Sequence, residues 1–256
     1  MSIIIKSDRE IELMKISGEV LIGLFDELEK NTLPGKSTWE LDQIARKYIL
    51  KNGGVPSSYN YEGFPGNICI SVNDTLIHGI PSKKIILKEG DIVSYDCMCT
   101  KNGYVTDACR TFPVGEVSEN AKRLIEVTKK CFFNAVKLVK PGIHIGVISH
   151  EVERTAKEAG YTVTDLFTGH GVGTAVHEDP YVPNCGKITD GPILKKGMTI
   201  CIEPMVNEGE VDLYILNDGW TVKTRDGKLS CHYENTVVVT DNGCEIITLK
   251  KGELNG

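Results

Sequence analysis

The chain repeats itself. Ile86-Leu87-Lys88-Glu89-Gly90 leads by six residues to Asp96, and Ile193-Leu194-Lys195-Lys196-Gly197 leads by six to Glu203. Pro34/Pro141, Gly90/Gly197 and Asp96/Glu203 share one offset of 107 (141 − 34, 197 − 90, 203 − 96). Between these anchors His78-Gly-Ile-Pro81 and His177-Glu-Asp-Pro180 pair at 99 (177 − 78), as if one copy had changed length by eight residues. Two fused copies of a helix-helix-strand-strand unit imply an α+β chain with two alike halves. Their sheets are expected to meet at a pseudo-twofold axis with helices outside, and repeat-matched acids then fall near the centre.

Local patterns define the repeated unit. Ile11, Met14, Ile16, Val20, Leu21, Leu24 and Leu28 predict an amphipathic helix ending near Leu33-Pro34-Gly35, and a second opens at Ser37-Thr38 and stops at Gly53-Gly54. The arrangement returns as a helix from about Asn120 to Val139, the break Lys140-Pro141-Gly142, and a helix from about Gly146 to Ala159. The stretches Asp91-Ile-Val-Ser-Tyr-Asp96-Cys and Thr236-Val-Val-Val-Thr240 alternate or run apolar, as buried strands do. With no linker or low-complexity segment, a single domain over 1–256 is expected, its copies at about 8–112 and 118–240.

Composition serves mainly to exclude. A chain of 256 residues, 41% hydrophobic and 25% charged, can bury a sizeable core. The net charge of −6 and the lack of a Lys/Arg cluster argue against nucleic acid or an anionic membrane as the main partner. The N-terminus lacks the apolar core of a signal peptide, and no stretch reaches the roughly 18 apolar residues of a spanning helix, so a cytoplasmic protein is expected. Nine cysteines, an odd number without a C-x-x-C pair, read as reduced and mostly buried thiols.

Five residues suggest a metal site. Asp96 and Asp107 flank the turn signal Thr100-Lys-Asn-Gly103. A four-residue loop would set them directly opposite, a two-residue Asn-Gly loop would make them diagonal neighbours, and either leaves them on one face of the sheet. Like charges so placed need a cation or a shared proton. Either aspartate alone would more often be an edge or turn residue, but Glu203 is the repeat counterpart of Asp96, and Glu234 opens another apolar strand. His170 sits in Thr168-Gly-His-Gly-Val-Gly173, where glycines let the backbone turn sharply; the spacing fits no phosphate-binding loop. One imidazole and four carboxylates suit Mn²⁺, Fe²⁺ or Co²⁺ and accept Zn²⁺. Four carboxylates exceed the needs of one ion, so two ions roughly 3.5–4 Å apart, with a bridging water as nucleophile, are expected.

These motifs resemble type I methionine aminopeptidase, of the pita-bread metallohydrolases, over nearly the whole chain. The telling stretches are Asn73-Asp-Thr-Leu-Ile-His78-Gly-Ile-Pro81, Gly90-Asp-Ile-Val-Ser-Tyr-Asp96, Thr168-Gly-His170-Gly-Val-Gly-Thr-Ala-Val-His177-Glu, Thr199-Ile-Cys-Ile-Glu203-Pro-Met205 and Asp218-Gly-Trp220-Thr-Val. The resemblance implies a pita-bread fold with central antiparallel sheets, and Asp96, Asp107, His170, Glu203 and Glu234 as ligands of two divalent ions (Co, Mn, Fe or Zn). It also implies that His78 contacts the scissile amide, that His177 stabilises the oxyanion, and that Glu203 moves the proton from water to the leaving amine. Tyr61, Phe64, Cys69, Trp220 and the face of His78 would form the methionine pocket. Ser58 and Val176 stand where some relatives carry cysteine and phenylalanine. Glu203 and Glu234 are 31 residues apart (234 − 203), too close for the helical insertion of type II enzymes, and a short bacterial-type form is expected.

The implied activity is removal of methionine from nascent chains whose second residue is small, by a monomer with transient ribosome association. Two alternatives remain: a proline-specific peptidase of the same fold, which usually has a separate N-terminal domain, and a binding protein of this fold that has lost its metal.

Overall fold

The computed structural model describes residues 2–250; Met1 and residues 251–256, the ends of the expected domain, lie outside them. Helices α1 (Asp8–Asn31) and α2 (Thr38–Lys51) are followed by β1 (Val55–Pro56), a 3₁₀ turn (Tyr61–Gly63), β2 (Cys69–Val72), β3 (Thr75–Ile77) and the long strands β4 (Ile92–Lys101) and β5 (Tyr104–Pro113). Helices α3 (Glu119–Val136) and α4 (Gly146–Glu158) precede β6 (Thr162–Val163), β7 (Thr168–Gly171), β8 (Glu178–Pro183), β9 (Thr199–Ile202) and β10 (Met205–Asn207). The described strands end with β11 (Leu213–Ile215), β12 (Val222–Thr224), β13 (Ser230–His232), β14 (Glu234–Val239) and β15 (Cys244–Ile246). Among the described residues no helix is long and apolar enough to cross a membrane.

The helix starts are set locally. Ser7 and Ser37 each accept from the amide three residues on, while Glu10 and Glu40 reach back to the cap amides, two complete capping boxes. Helix α1 stops at Asn31, ahead of Pro34, whose ring nitrogen has no hydrogen to donate. Its buried stripe differs from the expected one. Ile16 is 38% exposed, whereas Ser17 and Gly18 are buried. The Ser17 hydroxyl donates to the Cys99 carbonyl at 2.8 Å, and a Cβ at Gly18 would lie 2.7 Å from the Ile247 carbonyl oxygen, so small residues take the closest approach to the sheet.

Every described strand pairing is antiparallel. The largest sheet runs β1-β4-β5-β14-β9-β7-β8, with β2 also on β4 and β15 on β14. Strands of the two expected halves join along β5 and β14, through Glu234↔Cys109 and Asn235↔Ala108, and make one continuous nine-stranded sheet. Two three-stranded sheets, β13-β10-β6 and β11-β12-β3, complete the strand layer. Bridges Ser37↔Ile86 and His144↔Ile193 stand 107 residues apart (144 − 37, 193 − 86). So do the bonds from the Gly35 amide to the Leu87 carbonyl and from the Gly142 amide to the Leu194 carbonyl.

The β4–β5 register decides between the two turns open from the sequence. Lys101 pairs with Tyr104, Met98 with Asp107 and Asp96 with Cys109, so the loop is the two-residue Asn102-Gly103. Both residues have positive φ (55° and 82°), the requirement of a type I′ turn. Asp96 and Asp107 are therefore diagonal neighbours on one face. Val93, Tyr95 and Cys97 point the other way, into the core built with Leu21, Leu24 and Leu28 of α1 and Leu41 of α2. A second core joins Phe132 and Leu124 of α3 and Ile148 and Val152 of α4 to Ile200, Ile202 and Val237 of the sheet.

Candidate metal centre

The sheet brings together the five predicted ligands. Asp96 projects from β4, Asp107 from β5, His170 from β7 and Glu234 from the first position of β14, while Glu203 immediately follows β9. His170 Nε2 lies 3.6 Å from Asp107 Oδ2 and 3.5 Å from Glu203 Oε1. Its other nitrogen, Nδ1, faces the Gly171 carbonyl at 2.9 Å; donation there leaves the Nε2 lone pair turned to the carboxylates. Asp107, His170 and Glu234 are buried, Glu203 nearly so, and Asp96 lines the cavity wall half-buried.

Electrostatics make this cluster costly without a cation. Burial, and next the charge of Asp107, raises Asp96 and Glu234 well above the usual carboxylate range, and Glu203 rises for the same two reasons. Asp107 is pushed up to about 7 by burial, against hydrogen bonds from Asp96 and the Ala108 amide. The guanidinium of Arg110 does not relieve them. It donates to the carbonyls of Cys109, Glu234 and Thr248 and to Asn235 Oδ1, with its plane against Phe25 and Tyr233. Asp107 Oδ1 and Glu234 Oε1 are buried acceptors without a hydrogen-bond partner in the structure. Unpaired buried oxygens beside an imidazole lone pair form an oxygen-rich donor set that fits a divalent cation.

Other residues of the centre escaped the sequence reading. Ligand atoms of Asp107, His170, Glu234 and Cys201 lie within 4.8 Å of one another. Burial pushes the Cys201 thiol up, so it stays protonated, 3.6 Å from Thr236 Oγ1. Thr236 in turn accepts from the Asp107 amide at 2.9 Å and donates to the Asp107 carbonyl at 2.8 Å, closing the seam between β5 and β14. His232 Nε2 lies 3.7 Å from Glu203 Oε2. A signal exists: Cys201 and His232 each stand two residues before a predicted ligand, Glu203 and Glu234, and so share its face in an extended chain.

A cavity of about 440 Å³ opens above the cluster, lined by Tyr61, Phe64, Cys69, His78, His177 and Trp220 together with the five predicted ligands, and by Ser58, Met98 and Phe167; no sequence motif marks Met98 or Phe167. Phe64 meets Trp220 edge-on at 5.2 Å, and His78 meets both Trp220 and Phe167 edge-on at 5.9 Å. Val176 packs instead against the small cluster of Met14, Val105 and Val172. His78 is held at φ 57°, a left-handed conformation that its surroundings must impose, and burial lowers its pKa to about 4. His177 stands at the rim, 4.3 Å centroid to centroid from His170, with Nδ1 2.7 Å from the Tyr61 hydroxyl. The loop before it is tied by Glu178, which accepts from the amides of Thr174 and Ala175 and from the buried ammonium of Lys6.

The model for metallopeptidase family M24 matches residues 12–241. A methionine aminopeptidase of Clostridium acetobutylicum is 47% identical over 247 residues, 96% of this chain and 99% of its own. The crystal structure of a methionine aminopeptidase from Thermotoga maritima superposes with a TM-score of 0.95 at 40% identity, over 97% of this chain and 100% of that one. A prolidase from Pyrococcus furiosus superposes less closely, TM-score 0.79 at 26% identity, over 97% of this chain and 66% of its own. The fold is thus the pita-bread arrangement that the motifs implied. With full-length likeness of this degree around a buried carboxylate and imidazole cluster that binds divalent metal, the chain belongs to metallopeptidase family M24, in its methionine aminopeptidase branch.

Proposed function

We infer that this chain hydrolyses the first peptide bond of proteins that begin with methionine, releasing that residue when the second one is small. The observation that carries the inference is the set of buried, partnerless carboxylate oxygens beside the His170 lone pair, at the floor of an aromatic-walled cavity of about 440 Å³. Asp96, Asp107, His170, Glu203 and Glu234 would hold two divalent ions, of Mn, Fe, Co or Zn. Held by these residues, such ions would supply Lewis acidity, lowering the pKa of a bound water and polarising a carbonyl.

The remaining work belongs to side chains. Glu203 accepts the proton of the attacking water and delivers it to the leaving amine. Burial raises the Tyr61 hydroxyl, keeping it a donor; by donating to His177 Nδ1 it leaves Nε2–H to face the developing oxyanion. His78, kept neutral by burial, contacts the scissile amide. The unbranched thioether of the substrate lies among Phe64, Cys69, Trp220 and the ring of His78, where sulfur–aromatic contacts favour it. Bridges and backbone bonds recurring at the offset of 107 support one catalytic domain made of two copies. We place the enzyme in the cytoplasm as a monomer, acting on nascent chains at the ribosome.

The likeness to a prolidase makes a proline-specific peptidase the second reading, but it rests on 26% identity against 40% and 47% for the methionine aminopeptidases of Thermotoga maritima and Clostridium acetobutylicum. Release of methionine from Met-Gly-Met-Met by the Mn²⁺- or Co²⁺-loaded protein, beside peptides with proline at the second position, decides between them. Cleavage confined to the proline peptides would overturn the proposal.

A further inference from the structure

We propose that His232 is a positioning residue of the metal centre, whose Nε2–H donates to the Glu203 carboxylate and holds the oxygen turned away from His170. The proposal rests on the reading of Glu203 as both ligand and proton carrier.

Glu203 lies between two imidazoles. Its Oε1 is 3.5 Å from His170 Nε2 and its Oε2 is 3.7 Å from His232 Nε2, with Glu234 Oε2 4.0 Å from that same nitrogen. His232 is 1% exposed, and its Nε2 has no hydrogen-bond partner. A ring nitrogen sealed from water is costly unless it finds one, and a small shift would bring either carboxylate into hydrogen-bond range.

The backbone that carries the ring is fixed. His232 ends β13, paired with Met205 of β10, and Thr111 clasps its backbone by donating to its carbonyl at 2.8 Å and accepting from its amide at 3.3 Å. Glu203, by contrast, lies just past β9, ahead of Pro204, where no ladder pairing fixes it. A carboxylate that must bind a cation and also carry a proton needs an outside group to set its rotamer, and such supports typically tune metal affinity about 10–100-fold.

The test uses the full chain in three forms: wild type, His232→Gln, which keeps a donor, and His232→Leu, which removes it. Mn²⁺ affinity is read from free-ion electron paramagnetic resonance, and kcat and KM from Met-Gly-Met-Met. We expect His232→Leu to weaken Mn²⁺ about 10–100-fold and to lower kcat with little change in KM. His232→Gln should restore most of both. Wild-type affinity and kcat in His232→Leu would overturn the proposal.

Nitrogen-15 spectra of the histidine-labelled, Zn²⁺-loaded wild type supply a reading that needs no variant to fold. A protonated His232 Nε2 is expected, and a zinc-coordinated one would make His232 a ligand and sink the positioning role. A wild type that binds Mn²⁺ but releases no methionine refutes the reaction alone, with the His232 comparison still decided by affinity. One that binds no Mn²⁺ refutes both.

Discussion

Among single side chains, the proposed site divides into residues that would hold the cation and residues that would touch the reacting bond. Asp107 Oδ1 is buried without a partner, and an amide in its place offers no negative charge. Asp107→Asn should therefore abolish tight Mn²⁺ binding, measured by equilibrium dialysis, and activity with it. His78→Ala and His177→Ala should leave Mn²⁺ bound while lowering kcat, His177→Ala by about 10²–10³-fold if it is an oxyanion donor. Equal metal loss in all three variants would show that this division of roles is wrong. The five predicted ligands are legible because each carries a marker along the chain: a repeat partner for Glu203, a turn between Asp96 and Asp107, glycines beside His170, an apolar strand opening at Glu234. Cys201, His232 and Arg110 carry none of comparable strength, since a lone cysteine, histidine or arginine in an apolar strand is usually core or surface.

Elements add constraints that no side chain holds alone. The Asn102-Gly103 turn sets Asp96 diagonal to Asp107, and Thr236 stitches β5 to β14 beneath them. The loop that carries His177 is held from far away. Lys6, whose amide bonds the Gly197 carbonyl, crosses to Glu178, and Glu178 gathers the amides of Thr174 and Ala175. Both side chains are buried, so Lys6→Met leaves a carboxylate without its cation, a change that costs about 3–5 kcal/mol in buried pairs. We expect a lower melting temperature and a reduced kcat at unchanged Mn²⁺ affinity, with Lys6→Met/Glu178→Gln regaining part of the melting temperature. A kcat equal to wild type would show that the pair supports the fold without positioning His177.

The molecule as a whole trades protons for metal. Burial pushes Asp107 up to about 7 from an ordinary 3.8, and its three carboxylate neighbours are raised too. Between those values the folded state binds protons that the unfolded state has released, so this contribution to stability falls as pH rises from about 4 to about 7. A divalent cation replaces those protons and stabilises by about 2.7 kcal/mol at 100 times its Kd. The gap between melting temperatures with and without Mn²⁺ should widen from about pH 5 to about pH 8; a constant gap would contradict the proton exchange. What the chain order alone determines is local or duplicated: capping boxes that start α1 and α2, the proline that ends α1, the matched offset of Asp96 and Glu203. Folding in three dimensions decided the rest, namely which hairpin register held, that β5 and β14 join into one sheet, that Arg110 turns its charge to backbone carbonyls, and that His232 meets Glu203. Those contacts join residues far apart in the chain and are selected by burial and the satisfaction of buried polar atoms, which leave no periodic trace in the order of residues.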